Sequence, residues 1–129
     1  MLGDHQIRPT IPVADIERAR RWYEEKLGLV PSSDDPGGLT YRCGDGSWFA
    51  LYPSALAGTA QHTVAGWTVD DIEHEMKDLR ARGVVFEDYD FPELKTVDGI
   101  ARLGPEKASW FKDSEGNILG LIQLARPRD

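Results

Sequence analysis

Residues 8–17 read RPTIPVADIE, and residues 64–73 read VAGWTVDDIE. In both stretches an extended segment leads into an Asp followed by Ile-Glu, so Asp15 aligns with Asp71 at an offset of 56 (71 − 15). Self-similarity at a fixed offset is typical of a repeated supersecondary unit. The sequence therefore predicts two copies of one structural module.

Each copy predicts an amphipathic helix after the aligned Asp, near 15–27 and near 71–82. The apolar residues at helical spacing are Ile16, Ala19, Tyr23 and Leu27 in the first copy, and Ile72, Met76 and Leu79 in the second. Such stripes are typical of helices that pack on a sheet. The residues that suit helix caps are Asp15 and either Asp70 or Asp71 at the start, and Gly28 and Gly83 at the end.

Segments with the composition of β-strands follow each helix. They are LTYRC (39–43) and SWFALYP (47–53) in the first copy, and VVFEDY (84–89), ASWFK (108–112) and NILGLIQL (117–124) in the second. The turn glycines Gly46 and Gly116 align at an offset of 70 (116 − 46), so the second copy carries about fourteen extra residues. We assign these to residues 90–106, either a solvated surface loop or a lid over a site.

Composition bounds the class of protein. The chain has 129 residues, 40% of them hydrophobic, which suits one domain over 1–129 with modules at about 6–57 and 62–125. A net charge of −7 disfavours nucleic acid and anionic membranes as partners. A single cysteine excludes an internal disulfide, and no run of apolar residues is long enough to cross a membrane. We therefore expect a cytoplasmic protein.

The predicted chain uses a β-α-β-β-β unit twice. The first copy contains IPVADIERARRWYEEKLGL (11–29), and the second ends with DSEGNILGLIQ (113–123). This combination resembles the glyoxalase, bleomycin-resistance and extradiol-dioxygenase superfamily, also called the vicinal oxygen chelate superfamily. Ser114 stands where that family usually has proline. The resemblance implies an α+β fold in which two modules form a cup-shaped, partly open barrel with helices packed outside. It also implies a homodimer, and in enzymatic members a divalent metal in the cup.

The family's metal ligands fall on four positions of the first and last strand of each module. These positions are Arg8, Ala50, Val64 and Gly120. A guanidinium has no lone pair to donate, and the other three side chains carry no donor atom. Transition metals need imidazole, carboxylate or thiolate ligands. The sequence thus predicts no metal and no cofactor, and Gly120 leaves room where a metal would lie.

Strand alternation then predicts which side chains face the cup. The candidate ligand-binding residues are Arg8, Trp48, Tyr52, His62, Trp110 and Gly120. Arg8 either pairs with a neighbouring acid or reaches solvent, or it anchors an anionic ligand group. Trp110 and Phe111 are adjacent and so point to opposite faces, and the sequence leaves open which of them enters the cup.

Two functions are compatible with these residues. The first is a metal-free binding protein that sequesters an apolar or aromatic small molecule in the cup. The alternative is an enzyme of the same superfamily, lyase, isomerase or dioxygenase-like, that uses other groups of the pocket. The candidate acids and bases for that alternative are His62, Tyr52, Glu93 and Asp98.

Overall fold

The computed structural model describes residues 1–125. Within them lie two α-helices, ten β-strands and two short 3₁₀ turns. The helices are α1 (Ile16–Leu27) and α2 (Ile72–Ala81). The strands are β1 (Thr10–Val13), β2 (Ser33–Asp35), β3 (Gly38–Arg42), β4 (Trp48–Pro53), β5 (Thr63–Thr68), β6 (Asp90–Phe91), β7 (Leu94–Val97), β8 (Ile100–Leu103), β9 (Glu106–Lys112) and β10 (Ile118–Gln123).

The strands form two open, mixed sheets that repeat one topology. The first sheet has the order β1-β4-β3-β2, and the second has the order β5-β10-β9-β8-β7-β6. In both, the strand before the helix pairs in parallel with the last strand of the module, and the other pairs are antiparallel. The predicted α+β fold of two β-α-β-β-β modules is confirmed, with β6 and β7 added to the second.

Both helices begin where the sequence predicts. The side chain of Asp15 accepts a hydrogen bond from the backbone N–H of Arg18, and Asp71 does the same for His74. At its other end α1 is closed by Gly28, whose φ of +69° lies in the left-handed region that favours glycine. Neither helix in the part of the chain described has the length and apolarity needed to span a bilayer.

The prediction for residues 84–106 is wrong in two respects. Residues 84–89 form only one isolated bridge, between Phe86 and Phe111, and residues 90–106 hold β6, β7, all of β8 and the first residue of β9 rather than an irregular loop. The Asp98-Gly99 turn, with φ of +53° and +82°, has the positive φ values that close a two-residue hairpin. Asp88 accepts bonds from the Thr96 hydroxyl and the Gly99 N–H, which holds the preceding segment against this hairpin.

Alternating burial separates two faces of each sheet. The face toward the helices is the core, and it includes Ile11, Val13, Phe49, Leu51, Leu119 and Leu121, as strand parity predicts, together with Phe111, which parity left open. Phe49 of the first sheet meets Trp67 of the second with ring centres 6.0 Å apart, so the two modules share one core. We call the opposite face of each sheet its cup face.

Candidate ligand-binding site

The cup face of the first sheet carries a polar cavity of about 490 Å³, the first cavity. The Arg8 guanidinium lies over the Trp48 ring, 4.5 Å from its centre. The Trp48 indole N–H donates to the side-chain oxygen of Gln6 at 3.1 Å. The remaining lining residues are Ser32, Ser33, Asp35, Thr40, Arg42 and Gly46.

The cup face of the second sheet carries a larger, aromatic cavity of about 800 Å³, the second cavity. Tyr89 packs edge-on against Trp110 at 5.6 Å between ring centres and stacks on Phe91 at 5.9 Å. Leu94 and Ile118 extend this apolar wall. A wall of this kind suits a flat, apolar ligand, because aromatic rings gain most from stacked or edge-on contact.

Polar side chains line the part of the second cavity that the aromatic wall leaves open, and they are Gln61, His62, Thr63, Glu87 and Lys112. His62 lies at its rim, with ring Nδ1 3.0 Å from the Thr63 carbonyl oxygen. Lys112 and Glu87 form a loose ion pair with nitrogen and oxygen 3.7 Å apart. Within residues 1–125 no three His, Cys, Asp or Glu side chains lie close enough together to hold a metal ion. The titratable side chains that line the second cavity are His62, Glu87, Tyr89 and Lys112.

Gly120 lies beneath the aromatic wall and is buried. It pairs with Trp110 across β9 and β10, and a Cβ added to Gly120 would lie 3.4 Å from the Trp110 ring. The space that the sequence assigns to a missing metal ligand is thus covered by an indole ring. The glycine lets Trp110 lie close to the strand, which is a common role for glycine inside a sheet.

The turn before β10 is fixed to α1, which holds the Trp110 and Gly120 strands in place. The buried Tyr23 hydroxyl donates to Asp113 at 2.7 Å, and burial beside this carboxylate raises the pKa of Tyr23 well above its usual value. Asn117 donates to the Pro12 carbonyl at 2.7 Å and accepts from the Gly58 N–H. The side-chain bond from Arg18 lowers the pKa of Glu115 to about 2.

Comparison with protein families identifies this architecture. The family model described as Glyoxalase/Bleomycin resistance protein/Dioxygenase superfamily matches residues 5–119. The chain belongs to this superfamily. A search among curated proteins finds no match.

Several solved structures share the fold of most of this chain. UcmS2 matches with a TM-score of 0.70 at 21% identity, over 92% of this chain and 98% of that one. TnmS3, described as an antibiotic binding protein from Streptomyces sp. CB03234, gives 0.63 at 22%, over 92% and 96%. A glyoxalase/bleomycin resistance protein from the same Streptomyces gives 0.60 at 23%, over 87% and 94%. Identities this low establish the common fold.

The metal that enzymes of the superfamily hold does not fit the residues of this chain. Ala50 pairs with Thr10, two residues after Arg8, and Gly120 pairs with Gly66, two residues after Val64. The first and last strands therefore have the same register in both modules. The four aligned positions hold one cationic side chain, Arg8, and three residues without a side-chain donor atom, Ala50, Val64 and Gly120. None of these is a ligand for a divalent metal.

The structure separates the sequence-predicted site residues into two groups. Arg8 and Trp48 line the first cavity, whereas His62 and Trp110 line the second, and the two lining sets share no residue. Trp110, not Phe111, is on the cup face, since Phe111 is fully buried in the core. Tyr52 is 37% exposed and lines neither cavity.

Sequence reasoning missed Tyr89, Phe91 and Arg42. Tyr89 and Phe91 are two residues apart and share a face. The sequence predicted a strand at 84–89 and no hairpin after it, so the contact of Tyr89 with Trp110 was not expected. Arg42 pairs directly with Trp48 across β3 and β4. This pairing depends on the register of two strands, which the pattern of a single strand does not contain.

Proposed function

We propose that this chain is a metal-free small-molecule-binding protein that sequesters an aromatic or apolar ligand on its cup face. The observation that carries the proposal is the aromatic wall of Trp110, Tyr89 and Phe91 in the second cavity. Its volume of about 800 Å³ is within the usual range for small-molecule sites. The description of TnmS3 as an antibiotic binding protein lends support by likeness of fold.

We further propose a homodimer in the cytoplasm, as the family resemblance and the single cysteine favour. Each cavity is built from one sheet and the loops beside it. A partner that covers these faces would remove more ligand surface from water than either sheet can alone. Sedimentation at tens of micromolar tests the dimer, and a monomer at that concentration contradicts it.

A second candidate is an enzyme of the same superfamily, and His62 is the observation that favours it. Its imidazole lines the same cavity as the aromatic wall, with Lys112 also present. An imidazole near neutral pH is suited to general acid or base catalysis. Glu93 and Asp98, the other candidate acids of the loop, are not among the residues that line this cavity.

Fluorescence titration with N-phenyl-1-naphthylamine, a neutral apolar probe, tests the binding site. Phe91 is 55% exposed, so Phe91→Ala is expected to fold normally and to weaken probe binding about three- to tenfold. Val97→Ala is the matched control, because Val97 is 75% exposed on the same hairpin and outside the cavity. Equal affinity in the Phe91→Ala variant and the wild type would contradict the proposal.

Mass spectrometry of molecules that co-purify with the untagged protein separates binding from catalysis. A bound molecule recovered unchanged after incubation with fresh protein supports sequestration. Its conversion to a product, lost in His62→Ala, would instead establish the enzyme.

A further inference from the structure

We propose that the first cavity is a binding subsite for the anionic group of an aromatic acid, such as a carboxylate or a sulfonate. This inference rests on the proposed small-molecule-binding function and adds to it a further cavity that favours an aromatic ligand with a negative charge. It assigns a role to a cavity whose wall is cationic in a protein of net charge −7.

Arg8 and Arg42 are both neighbours of Trp48 on the cup face of the first sheet. Arg42 of β3 pairs directly with Trp48 of β4, so both side chains are on the cup face. Arg8, just before β1, lies over the same ring at 4.5 Å. The indole N–H of Trp48 donates to the side-chain oxygen of Gln6, and this bond helps to fix the orientation of the ring. Stacking on Trp48 uses the flat face of Arg8 and leaves its edge of N–H donors free.

Neither arginine has a carboxylate partner within the part of the chain described. Arg18 forms an ion pair at 2.9 Å and Arg20 one at 3.0 Å, whereas among residues 1–125 no ion pair or side-chain hydrogen bond involves Arg8 or Arg42. Free N–H donors of two guanidiniums that face one cavity can bind a carboxylate or sulfonate with two parallel hydrogen bonds. The Thr40 hydroxyl lines the same cavity.

The one acid of the first cavity is at its far end. Asp35 pairs with Gly38, four residues along β3 from Arg42, which is roughly 13 Å at the rise of a strand. Its carboxylate accepts the Ser33 hydroxyl at 3.3 Å. The cavity is thus polarised, with cations at the Trp48 end and an acceptor at the other. An aromatic acid with its ring against Trp48 and its anionic group between the arginines matches this arrangement.

Calorimetric titration with two matched probes, naphthalene-2-carboxylate and 2-naphthalenemethanol, tests the charge preference. At low ionic strength we expect the acid to bind about tenfold more tightly than the alcohol. Both arginines are exposed, so Arg8→Gln and Arg42→Gln are expected to fold normally and to reduce this preference to about twofold. Arg21→Gln is the control, because Arg21 is an exposed arginine on α1 that lines neither cavity.

The outcomes separate this inference from the proposed function. Equal binding of acid and alcohol, no binding of the acid, or an equal loss in Arg21→Gln would overturn the anionic subsite. Binding of N-phenyl-1-naphthylamine that depends on Phe91 would still support the proposed function in each of those cases. Loss of the acid preference in both cavity variants, with the neutral probe unaffected, supports the subsite.

Discussion

Glu115 binds Arg18 through both of its carboxylate oxygens, with Nε and Nη2 of the arginine each 2.9 Å away. The same carboxylate accepts the backbone N–H groups of Ala14 and Asp15 at 3.0 and 2.9 Å. The Glu115 side chain is fully buried, while that of Arg18 is half exposed. One side chain of the second module therefore closes the first turn of a helix in the first module.

Glu115→Gln is expected to lower the free energy of unfolding by about 2 kcal/mol, because bonds between a buried charge and its partners are lost. The amide oxygen can still accept from the backbone, but its NH₂ group meets the Arg18 guanidinium, donor against donor. Urea unfolding measures the change. Arg18→Gln should cost less than Glu115→Gln, since the Arg18 side chain is half exposed. Wild-type stability in Glu115→Gln would refute the role given to this carboxylate.

The pH dependence of stability should carry the signature of Glu115. Its pKa is lowered from 4.5 to about 2 in the folded protein. A group with a lowered folded pKa contributes stability above its unfolded pKa, and that contribution is lost as pH falls through the folded value. The stability difference between wild type and Glu115→Gln should be constant above about pH 5 and shrink toward pH 2. A difference that grows on acidification would contradict this assignment.

Two paired glycines should respond differently to alanine. A Cβ on Gly66 would lie 2.9 Å from the backbone oxygen of Gly120, whereas a Cβ on Gly120 has no neighbour nearer than 3.4 Å. Gly66→Ala should therefore destabilise the protein by about 1–3 kcal/mol, since backbone must shift. Gly120→Ala should stay within about 1 kcal/mol of wild type. Thermal unfolding of both variants measures the two changes in stability. Equal losses of stability would show that the close approach of β5 and β10 at Gly66 does not cause the destabilisation.

Chelation should leave the protein unchanged. Arg8, Ala50, Val64 and Gly120 give a divalent cation no donor atom, so EDTA is expected not to lower the melting temperature. An ion present at a hundred times its dissociation constant would add ~2.7 kcal/mol, which a chelator would remove. Elemental analysis of untagged protein provides the direct measurement. A stoichiometric transition metal together with a lowered melting temperature would refute the metal-free proposal.

Much of the fold is predictable from local sequence patterns. The offset between Asp15 and Asp71 predicts the repeat, and both residues cap helices that begin one position later. Strand parity predicts which side chains are buried. The pattern fails at residues 84–89, because hydrogen bonds that Asp88 accepts from Thr96 and Gly99 favour the following hairpin over a strand. Those bonds join residues eight and eleven positions apart, beyond the range of a periodicity.

The candidate site is predictable only in part. The place of Trp48 follows from parity, whereas parity left open whether Trp110 or Phe111 faces the cup. The sequence alone shows that the family's ligand positions hold no metal donor. Gly120 was expected to leave open space, yet the Trp110 ring covers it. Arg42 and Tyr89 enter the cavities through neighbours on other strands, which a single strand's pattern does not contain.

The sequence by itself determined the repeat, the helices with their caps, the core face and the chemistry of each side chain. These follow from periods of 3.6 and 2 residues and from covalent structure, which are local properties. Only the tertiary structure decided that Arg8 meets Trp48 and Arg42 on one sheet, while Tyr89 and Phe91 meet Trp110 on the other. Contacts of that kind depend on the order and register in which distant strands pair, and pairing is set by hydrogen bonds and packing across the whole sheet.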